Sequence, residues 1–205
     1  MQEPKGHEII DPLKQERDRV LGDLNFQASD PRRFIKQDEE FLNVMFNDMT
    51  AALEISNQYP ESETWRRIVV RLSFSALDSY CWALKKLFYF TLRWRSIAPS
   101  QKDLEYITGI NEKYRRFRPT PTENVKYIVS RLATLSTVEW KIGDESKEWQ
   151  AFCTSVLVRH RITHPRRLDD LKISPDEYDK IADSLIWFQN GLDLIVKGIL
   201  ASQPE

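Results

Sequence analysis

Glycine is scarce in this sequence, with six residues in a chain of 205. A chain poor in glycine and rich in leucine, glutamate, lysine and arginine favours helices over a turn-rich β fold. Cysteine is rarer still, and the two residues, Cys81 and Cys153, both lie in apolar helical patterns. We therefore expect buried free thiols and no disulfide framework.

Long apolar runs and an excess of one charge are also missing. No apolar run approaches the ~18 residues of a membrane-spanning helix, and residues 1–10 lack the apolar stretch of a signal peptide. We therefore expect a soluble, cytoplasmic protein without a membrane contact. Lysine and arginine total 30 against 31 acidic residues, a formal net charge of -1. This balance excludes a protein that coats nucleic acid, so an anionic partner would need a local basic patch.

The residues that are present predict an all-α fold. Hydrophobic residues make up 41% of the chain, with six Trp, seven Tyr and ten Phe for a core. The length indicates one domain, residues 31–205, preceded by a partly flexible N-terminal extension, residues 1–30, with a possible short helix at 13–24. Helix start and stop signals predict further helices at 31–58, 62–95, 101–108, 121–136, 145–164 and 175–199, the first capped by Asp30 and the last by Ser174.

One segment carries residue types suited to chemistry: Arg159-His160-Arg161-Ile162-Thr163-His164-Pro165. The apolar stripe of the predicted helix 145–164 runs from Trp149 to Leu157, and polar residues continue it to the helix end. Pro165 disfavours helical geometry at the residue before it, so the helix should stop at His164. A helix C-terminus favours positive charge.

Arginine and histidine side by side suit a phosphate. The guanidinium provides a bidentate fork and the imidazole a mobile proton. Cleavage of an RNA backbone by its own 2′-OH needs these two roles, because one group moves protons while another neutralises the phosphorane. The reaction requires no metal. His160 and His164 are four residues apart, which also suits a metal, but no third His or Cys lies near them in sequence.

The motif Arg159-His160-x-x-x-His164 resembles the Arg-polar-x(n)-His signature of HEPN domains, which are helical proteins of bacterial defence and toxin–antitoxin systems. The following Pro165, the acidic loop at Leu168-Asp169-Asp170 and the aromatic pair Trp187-Phe188 are similar to many bacterial members. The resemblance covers roughly residues 62–200. It implies an up-and-down helical bundle, here of about five to six helices.

The resemblance also implies a metal-independent endoribonuclease of a defence or toxin–antitoxin system, without a cofactor. Arg159 would bind phosphate, His164 would act as acid or base, and His160 would orient or assist. Active members are usually homodimers whose two motifs face each other, and a cognate antitoxin would be a further partner. This chain differs from the family in two ways. The position after the arginine is more often Asn or Asp than His in the family. Some toxins of the family also carry a Tyr just after the motif as a modification target, whereas this chain has Pro165-Arg166-Arg167 there.

Other interpretations stay open at this point. Arg159 would equally pair with an acid such as Asp169, and His164 would serve as a plain helix cap. A catalytically silent HEPN-like module that binds nucleotide, RNA or a partner protein is the alternative function. Around the motif, the weaker candidates for RNA binding are basic side chains of two helices: Arg66, Arg67, Arg71 and Arg161. The run Arg115-Arg116-Phe117-Arg118 is more typical of a solvated loop.

Overall fold

The computed structural model describes residues 11–29, 31–113, 115–136 and 138–201, and these form seven α-helices and one short 3₁₀ helix. The α-helices are α1 Pro12–Ser29, α2 Pro31–Gln58, α3 Glu63–Trp94, α4 Gln101–Thr108, α5 Pro121–Ser136, α6 Lys147–Thr163 and α7 Pro175–Ala201. The 3₁₀ helix, Leu168–Leu171, lies between α6 and α7. Apart from one isolated bridge between Ile110 and Arg116, the described residues contain no β structure.

The predicted all-α class is confirmed, and α4 and α5 have the predicted bounds. Two differences concern the ends of helices. The N-terminal helix α1 runs to Ser29, beyond the expected 13–24. Leu24 is buried in the core, and Asn25, the first residue past the expected end, accepts a hydrogen bond from the hydroxyl of Tyr89. Helix α6 begins at Lys147, because the Ser146 side chain caps it. Residues 1–10 and the predicted cap Asp30 lie outside the described residues.

Helix boundaries follow local polar contacts. The Ser62 hydroxyl accepts a hydrogen bond from the backbone N–H of Trp65 at the start of α3. Ser100 and Asp103 form a reciprocal capping box at α4, and Gly109 ends that helix with a φ of 71°. This left-handed conformation suits glycine, which has no Cβ to clash.

The central element is α3, which contacts each of the other six α-helices. The aromatic stretch Phe88-Tyr89-Phe90 is buried in the main core, which α5 and α7 complete. A smaller apolar cluster lies between α3, α6 and α7 and consists of Val70, Phe74, Val158, Ile162, Ile173 and Ile181. This cluster supports the end of α6, where the predicted motif lies.

None of the described helices combines the length and apolar character needed to cross a bilayer. The two cysteines are free and partly buried.

Candidate active site

Helix α6 buries one face along its whole length. Its buried residues are Trp149, Phe152, Ser155, Val158 and Ile162. The packing face therefore continues through Val158 and Ile162 to the last turn, and the expectation that polar residues replace it there is wrong. Ser155 is buried because its hydroxyl pairs with that of Ser184 on α7 at 3.0 Å.

The two histidines lie on the exposed face of α6. His160 and His164 are both exposed, and their ring centroids are 5.0 Å apart. Leu157, one turn before His160, is 69% exposed. The structure therefore brings two imidazoles together at the surface, beside an apolar side chain that contacts solvent.

Arg159 points to another side of the helix, towards α3. Its Nη2 atom lies 3.0 Å from Oδ2 of Asp78, and the two side chains are 31% and 58% exposed. Burial raises the pKa of Asp78 above its ordinary value, although the charge of Arg159 opposes the shift. The acidic partner of Arg159 is therefore Asp78 and not Asp169, which pairs with Lys172.

Arg159 and His164 are five residues apart, which places them about 140° apart around a helix of 3.6 residues per turn. Within the described part of the chain, the Arg159 side chain pairs with Asp78 and not with His164. A single copy of the chain therefore places the arginine and the terminal histidine on different faces.

The turn after α6 is held by a carboxylate. His164 is the C-cap, and its backbone N–H donates to the carbonyl of His160 at 3.0 Å. Beyond Pro165, the backbone N–H groups of Arg166 and Arg167 both donate to Oδ2 of Asp170, at 2.8 and 2.9 Å. These amides lower the pKa of Asp170. The His164 cap is thus followed by a tight turn fixed by Asp170.

Three arginines of α3 bind carbonyls of the segment 162–173. Arg71 donates to the carbonyl of Ile162 at 2.6 Å, Arg67 to that of Leu171 at 3.0 Å, and Arg66 to that of Ile173 at 2.9 Å. Carbonyls at a helix end lack partners within the helix. The arginines supply these partners, so they fix the segment that carries His164.

The predicted RNA-binding residues differ in their exposure. Arg66 is 7% exposed and also donates to the carbonyl of Pro60, whereas Arg71 is exposed. Arg161 is partly buried and pairs with Glu177 at 3.0 Å.

Two basic side chains beside His164 were missed by the sequence reasoning. Arg166 and Arg167 are exposed, and neither side chain has an ion-pair or hydrogen-bond partner within the described ranges. Their position after the proline that ends α6 was a usable signal, because a tight turn there keeps them beside the histidine. Arg116, in the other basic run, pairs with Glu16 on α1.

A small pocket adjoins Arg159, and sequence reasoning did not find it. It lies between α3, α5 and α6, with Asp78, Lys85, Asn124 and Arg159 among its lining residues. The polar groups come from three helices, so no local motif marks them. Elsewhere in the described part of the chain, no group of three or more His, Cys, Asp or Glu residues is placed to hold a metal ion.

Comparison with known proteins gives no relative: no protein-family model, no curated protein and no solved structure matches the chain. The HEPN resemblance therefore stays a prediction from the motif and its surroundings.

Proposed function

We propose that the protein is a metal-independent endoribonuclease of the HEPN type, acting in bacterial defence or as a toxin. The observation that carries the proposal is the exposed pair His160 and His164, with ring centroids 5.0 Å apart, at a helix end surrounded by arginines. Two imidazoles at this separation supply a base and an acid for the same phosphate.

The proposed reaction uses the 2′-OH of RNA as nucleophile. A base takes the proton from the 2′-OH, the 2′ oxygen forms a bond to phosphorus, and the bond from phosphorus to the 5′ oxygen breaks. An acid gives its proton to the departing 5′ oxygen. The products are a 2′,3′-cyclic phosphate and a free 5′-OH. His164 is the principal acid or base, His160 assists it, and Arg159 stabilises the negative charge on the phosphorane.

The surrounding cations would hold the RNA backbone. Arg166 and Arg167 are exposed beside His164, and Arg71 lies on the adjacent surface of α3. Phosphate contacts of this kind supply affinity that falls with salt and carries no sequence information. The buried Arg66 stabilises this surface by donating hydrogen bonds to the carbonyls of Ile173 and Pro60.

The site is proposed to be completed by a second copy of the chain. Arg159 and His164 lie on different faces of α6, and Leu157 and Leu168 beside the motif are 69% and 78% exposed. A two-fold interface is self-complementary, so one such patch is enough to form it. In the homodimer, Arg159 of one subunit would meet His164 of the other around one phosphate. A cognate antitoxin would cover the same surface.

Mixed dimers test the shared site. Arg159→Ala and His164→Ala homodimers should each be inactive, but exchange of subunits between them creates one intact arginine–histidine site. Activity should therefore return on mixing, and light scattering should give roughly twice the chain mass of 24.2 kDa. A monomer that cleaves RNA, or a mixture as inactive as its components, contradicts the shared site.

Single variants test the catalytic roles. His164→Ala and Arg159→Ala should each lower the cleavage rate by roughly 10²–10⁴-fold, as expected for loss of a proton-transfer group or a charge stabiliser. Arg118→Ala, which removes an exposed arginine from the other basic run, is the matched control. Wild-type rates in both motif variants would reject the catalytic assignment.

A catalytically silent module that binds nucleotide, RNA or a partner protein is the second candidate. The ion pair between Arg159 and Asp78 favours it, because the arginine already has an anionic partner. RNA binding by the wild-type protein without cleavage, retained in Arg159→Ala, would support this candidate over the nuclease.

A further inference from the structure

An apolar groove lies between α2 and α7, with α3 as its floor. Its two parts have volumes of about 170 and 370 Å³. They meet at Phe46 and Tyr80, which line both parts and whose ring centroids are 6.4 Å apart. Helix α2 packs on α3 and makes little contact with α7, and this leaves the groove open. None of the lining residues belongs to the proposed nuclease site, so the groove is a separate feature of the molecule.

The groove leaves apolar side chains in contact with solvent. Ile186 and Leu200, on the α7 wall, are 57% and 49% exposed, and Leu42 and Met49, on the α2 wall, are only partly buried. On α7 the lining extends from Tyr178 to Leu200, about 33 Å at 1.5 Å per residue. A continuous apolar surface of this kind indicates a binding site for a partner.

The lining of the groove favours a helix as its occupant. Most lining side chains are apolar, so an extended peptide would find few partners for its backbone N–H and C=O groups. An α-helix satisfies those groups internally, and its residues at i, i+3, i+4 and i+7 form one apolar row. Such a helix would lie on α3 between α2 and α7.

The helices on both sides of the groove are acidic. Residues 36–58 of α2 and 178–201 of α7 together carry eight carboxylates and three lysines. The carboxylates are Asp38, Glu39, Glu40, Asp48, Glu54, Asp179, Asp183 and Asp193, and the lysines are Lys36, Lys180 and Lys197. Lys180 pairs with Asp176, and Asp38 pairs with Lys86 of the floor. The sides of the groove therefore keep an excess of negative charge.

Two of these carboxylates lie next to the apolar lining. Glu39 lines the wider part and is exposed, without an ion pair among the described residues. Burial raises the pKa of Tyr80 to about 12, and the charge of Asp193 adds to this shift, so Asp193 lies near the ring of Tyr80. Asp193 is also exposed.

This charge decides between the molecules that could occupy an apolar groove. A fatty acid would bring its carboxylate to a surface of the same sign. A second copy of the chain would bring the same acidic helices against each other. Lysines and arginines beside the apolar row of a helix would instead pair with the carboxylates on both sides.

We propose that the groove binds an amphipathic helix of a partner protein, with an apolar row facing α3 and basic residues on both sides of that row. A helix of about 22 residues would span the groove. The inference goes beyond the proposed nuclease and does not depend on it, because the two sites share no residue.

The probe is a synthetic leucine–lysine peptide of about 22 residues with leucines at the spacing of one helix face. Two control peptides are a scrambled sequence of the same composition, which lacks the apolar row, and a leucine–glutamate peptide, which keeps the row and reverses the charge. Fluorescence anisotropy with the full chain should show the leucine–lysine peptide binding at least about 10-fold more tightly than either control.

Substitutions on α7 test the apolar contact. Ile186→Gln and Leu200→Gln should each weaken binding of the leucine–lysine peptide by about 5-fold, because the exposed part of each side chain would be buried by the peptide. Leu194→Gln is the matched control, since Leu194 is 52% exposed on the same helix but lines neither part of the groove. All three positions are exposed, so the fold should be kept.

Charge reversals test the acidic sides. Glu39→Lys and Asp193→Lys should each weaken binding by about 3–10-fold, as expected when an attractive exposed pair becomes repulsive. Glu145→Lys makes the same change of charge at an exposed position before α6 and should have little effect.

Three results would overturn the inference. The first is equal affinity for the three peptides, or wild-type affinity in the groove variants. The second is a lower mass of Ile186→Gln and Leu200→Gln in light scattering, which would assign the groove to a second copy. The third is displacement of the peptide by oleate, which would assign it to a lipid. Ile186→Gln and Leu200→Gln should cleave RNA at the wild-type rate, so a failure of the groove and a failure of the nuclease are distinguishable.

Discussion

The role of Arg66 can be decided by one substitution, Arg66→Met. The side chain is 7% exposed, and its guanidinium donates to the carbonyls of Ile173 and Pro60. Methionine keeps an apolar stem in the same space but offers no donor. A hydrogen bond to a charged group contributes about 1.5–3 kcal/mol, and the carbonyls left behind lose their partners.

We expect Arg66→Met to lower the free energy of unfolding by roughly 2–4 kcal/mol. This is somewhat less than the sum of two such bonds, because water can reach the partly exposed carbonyl of Pro60. For a chain of this size that lowers Tm by about 4–15 °C. Urea denaturation followed by circular dichroism measures the change. Arg118→Met, at an exposed position, is the control and should lie within about 0.5 kcal/mol of wild type.

The same variant separates a structural role from RNA binding. Removing an arginine that contacts a phosphate reduces the slope of log RNA affinity against log salt concentration by about one. We expect Arg66→Met to leave that slope unchanged under conditions where the variant is folded. Unchanged stability together with a reduced slope would refute the structural reasoning.

The remaining predictions concern the site and the core. Asp78→Asn should free Arg159 and raise RNA affinity by about 2–5-fold in a cleavage-deficient background, because a half-exposed ion pair contributes at most about 1 kcal/mol; weaker binding measured by fluorescence anisotropy would show that Asp78 positions the arginine. Burial raises the pKa of Cys81 to about 12, so its thiol should react slowly with iodoacetamide at pH 8 until denaturant is added. Because this folded pKa exceeds the unfolded value, the unfolded chain releases the proton first, and stability should fall as the pH rises above about 9; Cys81→Ala should reduce that fall, and an equal slope in urea titrations contradicts it. A Cβ at Gly191 would lie 2.1 Å from the ring of a neighbouring tryptophan, so Gly191→Ala should cost about 1–3 kcal/mol. Gly22→Ala, where nothing lies within 4 Å, should stabilise the protein by about 0.5–1 kcal/mol, and the same sign for both variants would contradict the packing argument.

Much of the helical framework was predictable from local signals. Pro121 and the pair Ser174-Pro175 mark helix starts, and the structure begins α5 and α7 at those prolines. Proline fixes φ and lacks the N–H that a helix start leaves unpaired anyway. Such signals depend on neighbouring residues alone, and this is why they are readable without the tertiary fold.

The orientation of α6 was not predictable in the same way. Ser155 interrupts the apolar pattern, so the sequence predicts a packing face through Val156 and Leu157. In the structure Ser155 is buried because Ser184 of α7 satisfies its hydroxyl at 3.0 Å, and Leu157 is exposed. The apolar periodicity of one helix cannot show that a polar residue is buried when its hydrogen-bond partner lies on another helix.

The candidate site was only partly accessible from sequence. The motif and its place at a helix end were predicted, and the structure places His164 at that end as the C-cap. The partners of the α3 arginines could not be predicted, because Arg66 binds a carbonyl 107 residues away and Arg71 one 91 residues away. The pocket of Lys85 and Asn124 likewise depends on how three helices pack.

Incubation of the purified protein with RNA in the presence of EDTA tests the central claim most directly. We expect cleavage that EDTA does not stop and that leaves 2′,3′-cyclic phosphate ends. We expect no cleavage where the 2′-OH is replaced by hydrogen, and none by His164→Ala. Intact RNA after incubation with the wild-type protein, or cleavage that requires a divalent ion and also occurs on DNA, would contradict the proposed function.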